Sequence, residues 1–136
     1  MTPRFPGPPA ERDMATAPFF DGAAREQLMI RRCERCAHPE PPEARTCSSC
    51  ASVDLTWISA TGRGHLVTWT VVHRAPHPDL AGAVPYVAGI VELDEGPWLH
   101  ARICGDPTTM RAGLPVRVAF VHPDLGESVP LFTPSD

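Results

Sequence analysis

Four of the five cysteines stand as two C-x-x-C pairs, and no other residues in the chain have spacing that points so directly to chemistry. The pairs are Cys33/Cys36 and Cys47/Cys50, with ten residues between them. Each pair can supply two thiolates from a tight turn. Two such turns together supply the four thiolates of a closed tetrahedral shell around one zinc ion. We therefore predict a structural metal site rather than a disulfide framework. The thiolates alone would also accept iron.

The composition restricts the classes of function. The 136 residues carry a formal net charge of −4, and all twelve basic residues are arginine. An acidic chain argues against a nucleic-acid binder that works by neutralising phosphates. No apolar run approaches the roughly 18–20 residues of a membrane span. With no hydrophobic leader and a metal-type cysteine pattern, we expect a cytoplasmic protein.

The chain divides into five predicted parts. Residues 1–17 are rich in proline and predict a disordered tail. Residues 18–30 predict the N-terminal helix, residues 31–58 the four-cysteine ribbon, and residues 59–132 a β-barrel. Residues 133–136 are a second tail. The overall prediction is a mainly β fold with one helix, a zinc ribbon and a small barrel of OB type.

The barrel prediction depends on alternating apolar strands separated by turn residues. Residues 65–73 carry apolar side chains on both faces, which suits a closed or strongly curved sheet. Further strands follow over residues 86–93, 97–104 and 116–122, with a short pairing near 130–132. Gly89 lies within one of these strands and predicts a bulge or bend. Strands of this number and spacing fit a small Greek-key barrel.

The sequence shows no catalytic constellation, and we assign no catalytic residue. Histidines are scattered, and His73 and His77 flank a proline-rich loop without a carboxylate pattern around them. Cys104 has apolar neighbours, which is typical of a buried cysteine. Phe19 and Phe20 precede Leu28 in the helical stretch, and this apolar set either packs on its own domain or contacts a partner protein.

The combination of motifs resembles the domain-of-unknown-function thirty-five family, a rubredoxin-like zinc ribbon joined to an OB-fold. The resemblance runs from about Pro18 to Phe132. The matching features are Phe20, Gly22 and Leu28 ahead of the cysteine pairs, then Thr61-Gly62-Arg63-Gly64, Trp69-Thr70-Val71-Val72-His73, Pro85-Tyr86-Val87-Ala88-Gly89-Ile90-Val91-Glu92-Leu93, Glu95-Gly96 and Ala112-Gly113-Leu114-Pro115-Val116. One departure is Asp21, which stands where the family often has tryptophan.

The resemblance implies a function in acyl-CoA metabolism. Members accompany thiolase-fold enzymes, and this chain resembles the stand-alone accessory subunit of a lipid-transfer-protein-like aldolase that cleaves a steroid side-chain CoA ester by a retro-aldol step. The chain itself would be non-catalytic and would shape the substrate channel. The implied assembly is a heterotetramer with two copies of each chain, and the implied cofactors are structural zinc and a CoA thioester bound mainly by the partner.

Two residues are candidates for contact with CoA, and three alternative functions stay open. The guanidinium groups of Arg63 and Arg74 suit CoA phosphates. The partner could instead be a ketoacyl-CoA thiolase or a MaoC-like enoyl-CoA hydratase. A nucleic-acid-binding ribbon and OB module is an alternative of another class. An independent enzyme that uses the loop histidines is a third.

Overall fold

The computed structural model describes residues 7–135, which form a mainly β molecule with one short helix. The predicted fold class is confirmed. The predictions for residues 1–6 and 136 lie outside the described residues. The elements are α1 (Ala17–Ala24), β1 (Met29–Cys33), β2 (Pro39–Glu40), β3 (Leu55–Ser59), β4 (Arg63–Val72), β5 (Tyr86–Leu93), β6 (Trp98–Ile103), β7 (Pro115–Val121) and β8 (Val129–Pro134), with single 3-10 turns at Pro78–Leu80 and Pro107–Thr109.

Five strands close into a barrel in the order β4-β5-β6-β8-β7, and β7 pairs back onto β4. All neighbours are antiparallel except β6 and β8, which are parallel at Ile103 and Phe132. The chain therefore crosses from β6 to β7 before β8 fills the gap between them. This is the Greek-key arrangement expected of an OB-type barrel.

The longest strand of the barrel bends at a bulge opposite a glycine. The pairing of β4 with β5 skips one residue between Leu66 and Thr68, and Gly89 lies on the partner strand opposite Trp69. A Cβ added at Gly89 would lie 2.8 Å from the Thr68 carbonyl oxygen and 2.9 Å from Leu66 Cδ1. Only glycine fits this close approach, so the predicted irregularity at Gly89 is real.

The ribbon shares its core with the barrel. Strand β1 is the centre of a three-stranded sheet, in the order β2-β1-β3. Leu28 and Ile30 are almost fully buried in the same apolar cluster as barrel residues such as Val91 and Phe132. The Ala60 N–H also donates to the Leu28 carbonyl at 2.8 Å. The first metal-binding turn is therefore carried by a strand that is anchored in the main core.

The helix is shorter than the sequence predicts. It ends at Ala24 instead of continuing to residue 30. Glu26 adopts a left-handed conformation (φ 60°), and the N–H of Gln27 donates to the Gly22 carbonyl at 2.8 Å. This is a Schellman motif, which usually places glycine at the left-handed position. Because glutamate occupies that position here, the sequence lacks the usual stop signal.

The first described residues pack on the barrel and do not form the disordered tail that was predicted. The Arg12 guanidinium lies 2.8 Å from Glu127 and 2.8 Å from Asp21. The Glu127 N–H donates to the Ala10 carbonyl at 2.9 Å. These contacts tie Ala10 and Arg12 to the β7–β8 loop, and Arg12 also to α1. At the other end, β8 continues to Pro134, past the predicted barrel limit of residue 132.

Within residues 7–135, we find no helix with the length and apolar character needed to cross a membrane.

Candidate functional site

The four predicted metal ligands converge on one point. Cys33 Sγ lies 3.6 Å from Cys50 Sγ, and Cys36 Sγ lies 3.5 Å from Cys47 Sγ. All four sulfur atoms are within 4.8 Å of one another. A regular tetrahedron with Zn–S bonds of about 2.3 Å has sulfur atoms about 3.8 Å apart. The donor set and its spacing therefore fit a zinc ion held by four thiolates.

The two cysteine pairs form matching turns, which we call knuckles and define as residues 33–37 and 47–51. In the first, the N–H groups of Arg35 and Cys36 point at Cys33 Sγ at 3.4 and 3.5 Å. In the second, the N–H of Ser49 points at Cys47 Sγ at 3.4 Å. Such donors stabilise sulfur in its thiolate form. The turns thus prepare the leading cysteine of each pair for metal.

Two thiols of the cluster, Cys33 and Cys50, have pKa values that are shifted in opposite directions. The Cys36 N–H is the main cause that lowers the pKa of Cys33 to about 6, and the Arg35 N–H acts in the same direction. The Ser52 N–H lowers the pKa of Cys50, but the Cys33 thiol and burial raise it by more, to about 12. Metal binding must therefore release protons.

A buried carboxylate beside the cluster was missed by sequence reasoning. Glu40 is 5% exposed, and its Oε1 accepts hydrogen bonds from the backbone N–H and the hydroxyl of Ser48 at 2.5 and 2.6 Å. His38 Nδ1 lies 3.2 Å from the same oxygen. Burial alone would raise the pKa of Glu40. The hydrogen bonds from Ser48 and the interaction with His38 lower the pKa by more than burial raises it, so the net shift is downward. In the sequence, Glu40 is one acid in a proline-rich loop and carries no signal of burial.

A second feature is an open, mostly apolar groove of about 760 Å³ on the outer face of the barrel. Phe19 and Phe20 form one wall, with their rings edge to face at 5.4 Å. On the barrel side, the Arg102 guanidinium stacks over the Tyr86 ring at 4.2 Å, and burial lowers the pKa of Arg102. The remaining lining residues are Ala10, Thr68, Trp69, Thr70, Ala88, Gly89, Ile90, His100, Ala101, Val129 and Pro130.

The other predicted site residues do not form one site. Leu28 is 2% exposed and belongs to the core, so its prediction as a partner contact is wrong. Arg63 begins β4 and Arg74 follows its end, which separates them by on the order of 30 Å along the strand. The two arginines therefore cannot contact the same phosphate group. Cys104 is exposed, which corrects the prediction that it fills the core.

The histidines are also dispersed. His77 Nδ1 accepts the Asp79 N–H at 3.1 Å and caps the 3-10 turn at residues 78–80. His122 Nδ1 lies 2.7 Å from the Ser128 hydroxyl. His100 lines the groove. Each of these three histidines has a local role in a loop or a wall, and the three occupy different parts of the barrel.

Comparison with solved structures supports the fold and relates it to a known complex. A chain of the Ltp2-ChsH2(DUF35) aldolase superposes with a TM-score of 0.78 at 31% identity, covering 90% of this chain and 96% of that one. A DUF35 protein of unknown function from Sulfolobus solfataricus gives a TM-score of 0.58 at 15% identity, a likeness of fold alone.

Sequence relatives fall into two groups. The "Probable enoyl-CoA hydratase alpha subunit" of Thermomonospora curvata is 34% identical over 96% of this chain, and the 3-oxo-4,17-pregnadiene-20-carboxyl-CoA hydratase alpha subunit of Mycobacterium tuberculosis is 33% identical over 84%. The chain spans only 40% and 35% of the length of these two relatives.

The second group consists of shorter proteins. A DUF35 domain-containing scaffold protein of Pyrococcus furiosus is 30% identical over 68% of this chain and 67% of its own length. Residues 57–121 match the family described as the ChsH2 C-terminal OB-fold domain. With the four-cysteine cluster and the barrel, these matches identify the chain as a member of the DUF35 family.

Proposed function

We propose that this chain is a non-catalytic accessory subunit of a thiolase-fold aldolase that acts on acyl-CoA thioesters. The observation that carries the proposal is the likeness to a chain of the Ltp2-ChsH2(DUF35) aldolase, which extends over 96% of that chain. The match also covers 90% of this chain, which is too much to leave out either the ribbon or the barrel. The partner would supply the catalytic residues, and this chain would stabilise the complex and shape the substrate channel.

The substrate class of the proposed complex is a hydroxylated steroid side-chain CoA ester, cleaved by a retro-aldol step. Support comes from the relative named as a pregnadiene-carboxyl-CoA hydratase subunit, whose substrate is a steroid CoA thioester. Within the proposal, the partner binds most of the CoA moiety. Arg63 and Arg74 lie at opposite ends of β4, so each would contact a different part of the ligand or of the partner.

The groove is the surface that we assign to the partner. It combines aromatic walls with one cation, Arg102, and none of its lining residues is acidic. Buried aromatic and arginine side chains are the groups that dominate binding energy at protein interfaces. An apolar segment of the partner would complement the aromatic part of this surface. Phe19 and Phe20 keep their proposed role as contacts, and Leu28 does not.

Subunits of an enoyl-CoA hydratase are the second candidate class, because one relative carries that name and another is named as the alpha subunit of a pregnadiene-carboxyl-CoA hydratase. In those proteins, 60% or more of the length lies outside the match. A DUF35 part can therefore accompany either enzyme. We rank the aldolase first because the matched aldolase chain corresponds to the present chain almost end to end.

Co-expression with an Ltp2-type aldolase from the same genome tests the proposal. We expect co-elution as a complex of two copies of each chain, with retro-aldol cleavage by the complex and none by this chain alone. Phe20→Ala should weaken binding about tenfold or more. Trp98→Ala, an exposed aromatic outside the groove, is the matched control and should leave binding unchanged. A chain that stays monodisperse alone and never co-elutes with the aldolase would refute the proposal.

A further inference from the structure

The two knuckles differ in how directly a strand of the fold holds them. The first continues directly from β1, which is anchored in the core. The second, residues 47–51, follows a proline-rich loop and precedes β3 without lying in a strand itself. Its backbone bonds are mostly internal, such as the Ala51 N–H to the Cys47 carbonyl at 2.9 Å. Contacts outside the second knuckle must therefore fix it relative to the first. On its Cys50 side β3 does this, because Leu55 pairs with Cys33 of β1. The Cys47 side needs a further contact.

Glu40 occupies the place where such a connection is needed. It belongs to β2, which pairs with β1 through Arg31 and Arg32 and is therefore fixed to the first knuckle. Its carboxylate reaches across to the second knuckle and accepts two hydrogen bonds from Ser48, the residue directly after the ligand Cys47. Among residues 7–135, Glu40 is the one charged side chain that is buried.

Because Glu40 is buried, its carboxylate depends on the hydrogen bonds from Ser48. A carboxylate taken out of water without partners is strongly unfavourable, so Glu40 is stable in its position only when Ser48 is in place to donate. On the Cys50 side, the Glu34 N–H donates to the Asp54 carbonyl at 2.8 Å, and solvent weakens the nearby Arg35–Asp54 ion pair at 3.2 Å. Glu40 holds the other side, at Cys47, through Ser48. The negative charge of Glu40 near four thiolates opposes their ionisation. Its benefit to the metal site must therefore come from geometry and not from charge.

We propose that Glu40 is the positioning residue that sets the separation of the two knuckles for metal binding. It acts through Ser48 and does not itself bind the ion. Outer partners of this kind affect metal affinity by about 10- to 100-fold when they are removed. The inference is independent of which enzyme the chain accompanies.

Three variants of the full-length chain test this role. Glu40→Ala should raise the zinc dissociation constant about 10- to 100-fold, measured by competition with a chromophoric chelator. Glu40→Gln should stay within a few-fold of the wild type, since its amide oxygen can still accept both bonds from Ser48. Glu43→Ala is the matched control, an exposed acid in the same loop, and should leave the constant unchanged.

A second measurement separates positioning from ordinary structural support. Glu40→Ala should lower the unfolding midpoint strongly with zinc bound and little after chelation. An unchanged zinc constant, or an equal loss of stability in both states, would overturn the proposal. Equal defects in Glu40→Gln and Glu40→Ala would overturn the geometric explanation. If Glu40→Ala does not fold, Ser48→Ala should still release zinc to the chelator faster than the wild type; an unchanged rate counts against the proposal.

Discussion

Ala37 and Ala51 occupy equivalent positions, each four residues after the leading cysteine of its knuckle and each in a left-handed conformation. Their φ angles are 66° and 64°. Each donates its N–H to the carbonyl of that leading cysteine at 2.9 Å. The two halves of the metal site are thus built on the same turn. In both halves a non-glycine residue holds a conformation that favours glycine.

Replacing either alanine by glycine should stabilise the zinc-loaded protein. The left-handed conformation costs a non-glycine residue about 1–2 kcal/mol, and the greater freedom of unfolded glycine cancels roughly 0.5–1 kcal/mol of that gain. We expect a net gain of about 0.5 kcal/mol for Ala37→Gly or Ala51→Gly, measured by denaturant unfolding. Ala44→Gly, outside the knuckles, should give no such gain. Destabilisation by both knuckle variants would contradict the assigned strain.

Loss of the metal should first of all lower the stability of the fold. A closed four-thiolate shell leaves no position for substrate, so an ion bound there would act as a structural link. Cys36→Ser and Cys47→Ser should abolish binding of one zinc per chain and lower the unfolding temperature, and chelation of the wild type should do the same. Cys104→Ser should keep the zinc, because Cys104 lies outside the cluster. Metal content and thermal unfolding provide the measurements. A metal-free Cys47→Ser protein as stable as the wild type would contradict this.

The metal site and the barrel could be predicted because their signals are local. The C-x-x-C spacing alone places the four thiols in two turns. Only the approach of the two turns to each other depends on the tertiary fold. The strands of the barrel alternate clearly, and Gly89 marks the bulge across from Thr68. The cysteine pairs and the strands are patterns of residues close together in the chain. Gly89 is a glycine within a strand, which usually marks a bulge or a close approach of the backbone.

The features that were missed depend on distant contacts. Arg12 meets Glu127 across 115 positions, so nothing near residue 12 indicates that the N-terminal segment is ordered there. Glu40 is buried where it accepts hydrogen bonds from Ser48, and Leu28 is buried in the core after the chain leaves the helix at Glu26. An acid or a leucine has the same local pattern whether it faces solvent or the core. Their roles follow only from the packed structure.

The contact between Arg12 and Glu127 should make part of the stability depend on acid pH. Hydrogen bonding by Arg12 lowers the pKa of Glu127 below its ordinary value of 4.5. Because the folded pKa is depressed, the stabilising contribution is present above about pH 4.5 and is lost as the pH falls through the lower folded value. The difference in unfolding temperature between wild type and Arg12→Gln should therefore shrink between pH 6 and pH 3. Glu11→Gln serves as the control. A difference that is independent of pH would show that Glu127 does not contribute through its charge.

Adding a side chain at Gly89 should disrupt the barrel at its bulge. A Cβ at this position meets the Thr68 carbonyl and Leu66, and both belong to a closed sheet with little room to move. We expect Gly89→Val to lower the free energy of unfolding by about 1–3 kcal/mol, the usual cost of overpacking. Gly82→Val is the control, since a Cβ there meets nothing within 4 Å. Equal stability of the two variants would contradict the close approach.

Leu28 and Phe20 should separate core packing from partner binding. Leu28 is 2% exposed and joins the ribbon to the barrel core, whereas Phe20 is half-buried and lines the groove. Leu28→Ala should lower the free energy of unfolding of the isolated chain by about 2–5 kcal/mol, because it leaves a cavity in the shared core. Phe20→Ala should cost the isolated chain less and the complex with the aldolase more. Urea unfolding gives the first quantity and binding of the purified chain to the aldolase gives the second. If Leu28→Ala weakened binding to the aldolase without a loss of stability, Leu28 would have to be assigned to the partner-contact surface after all.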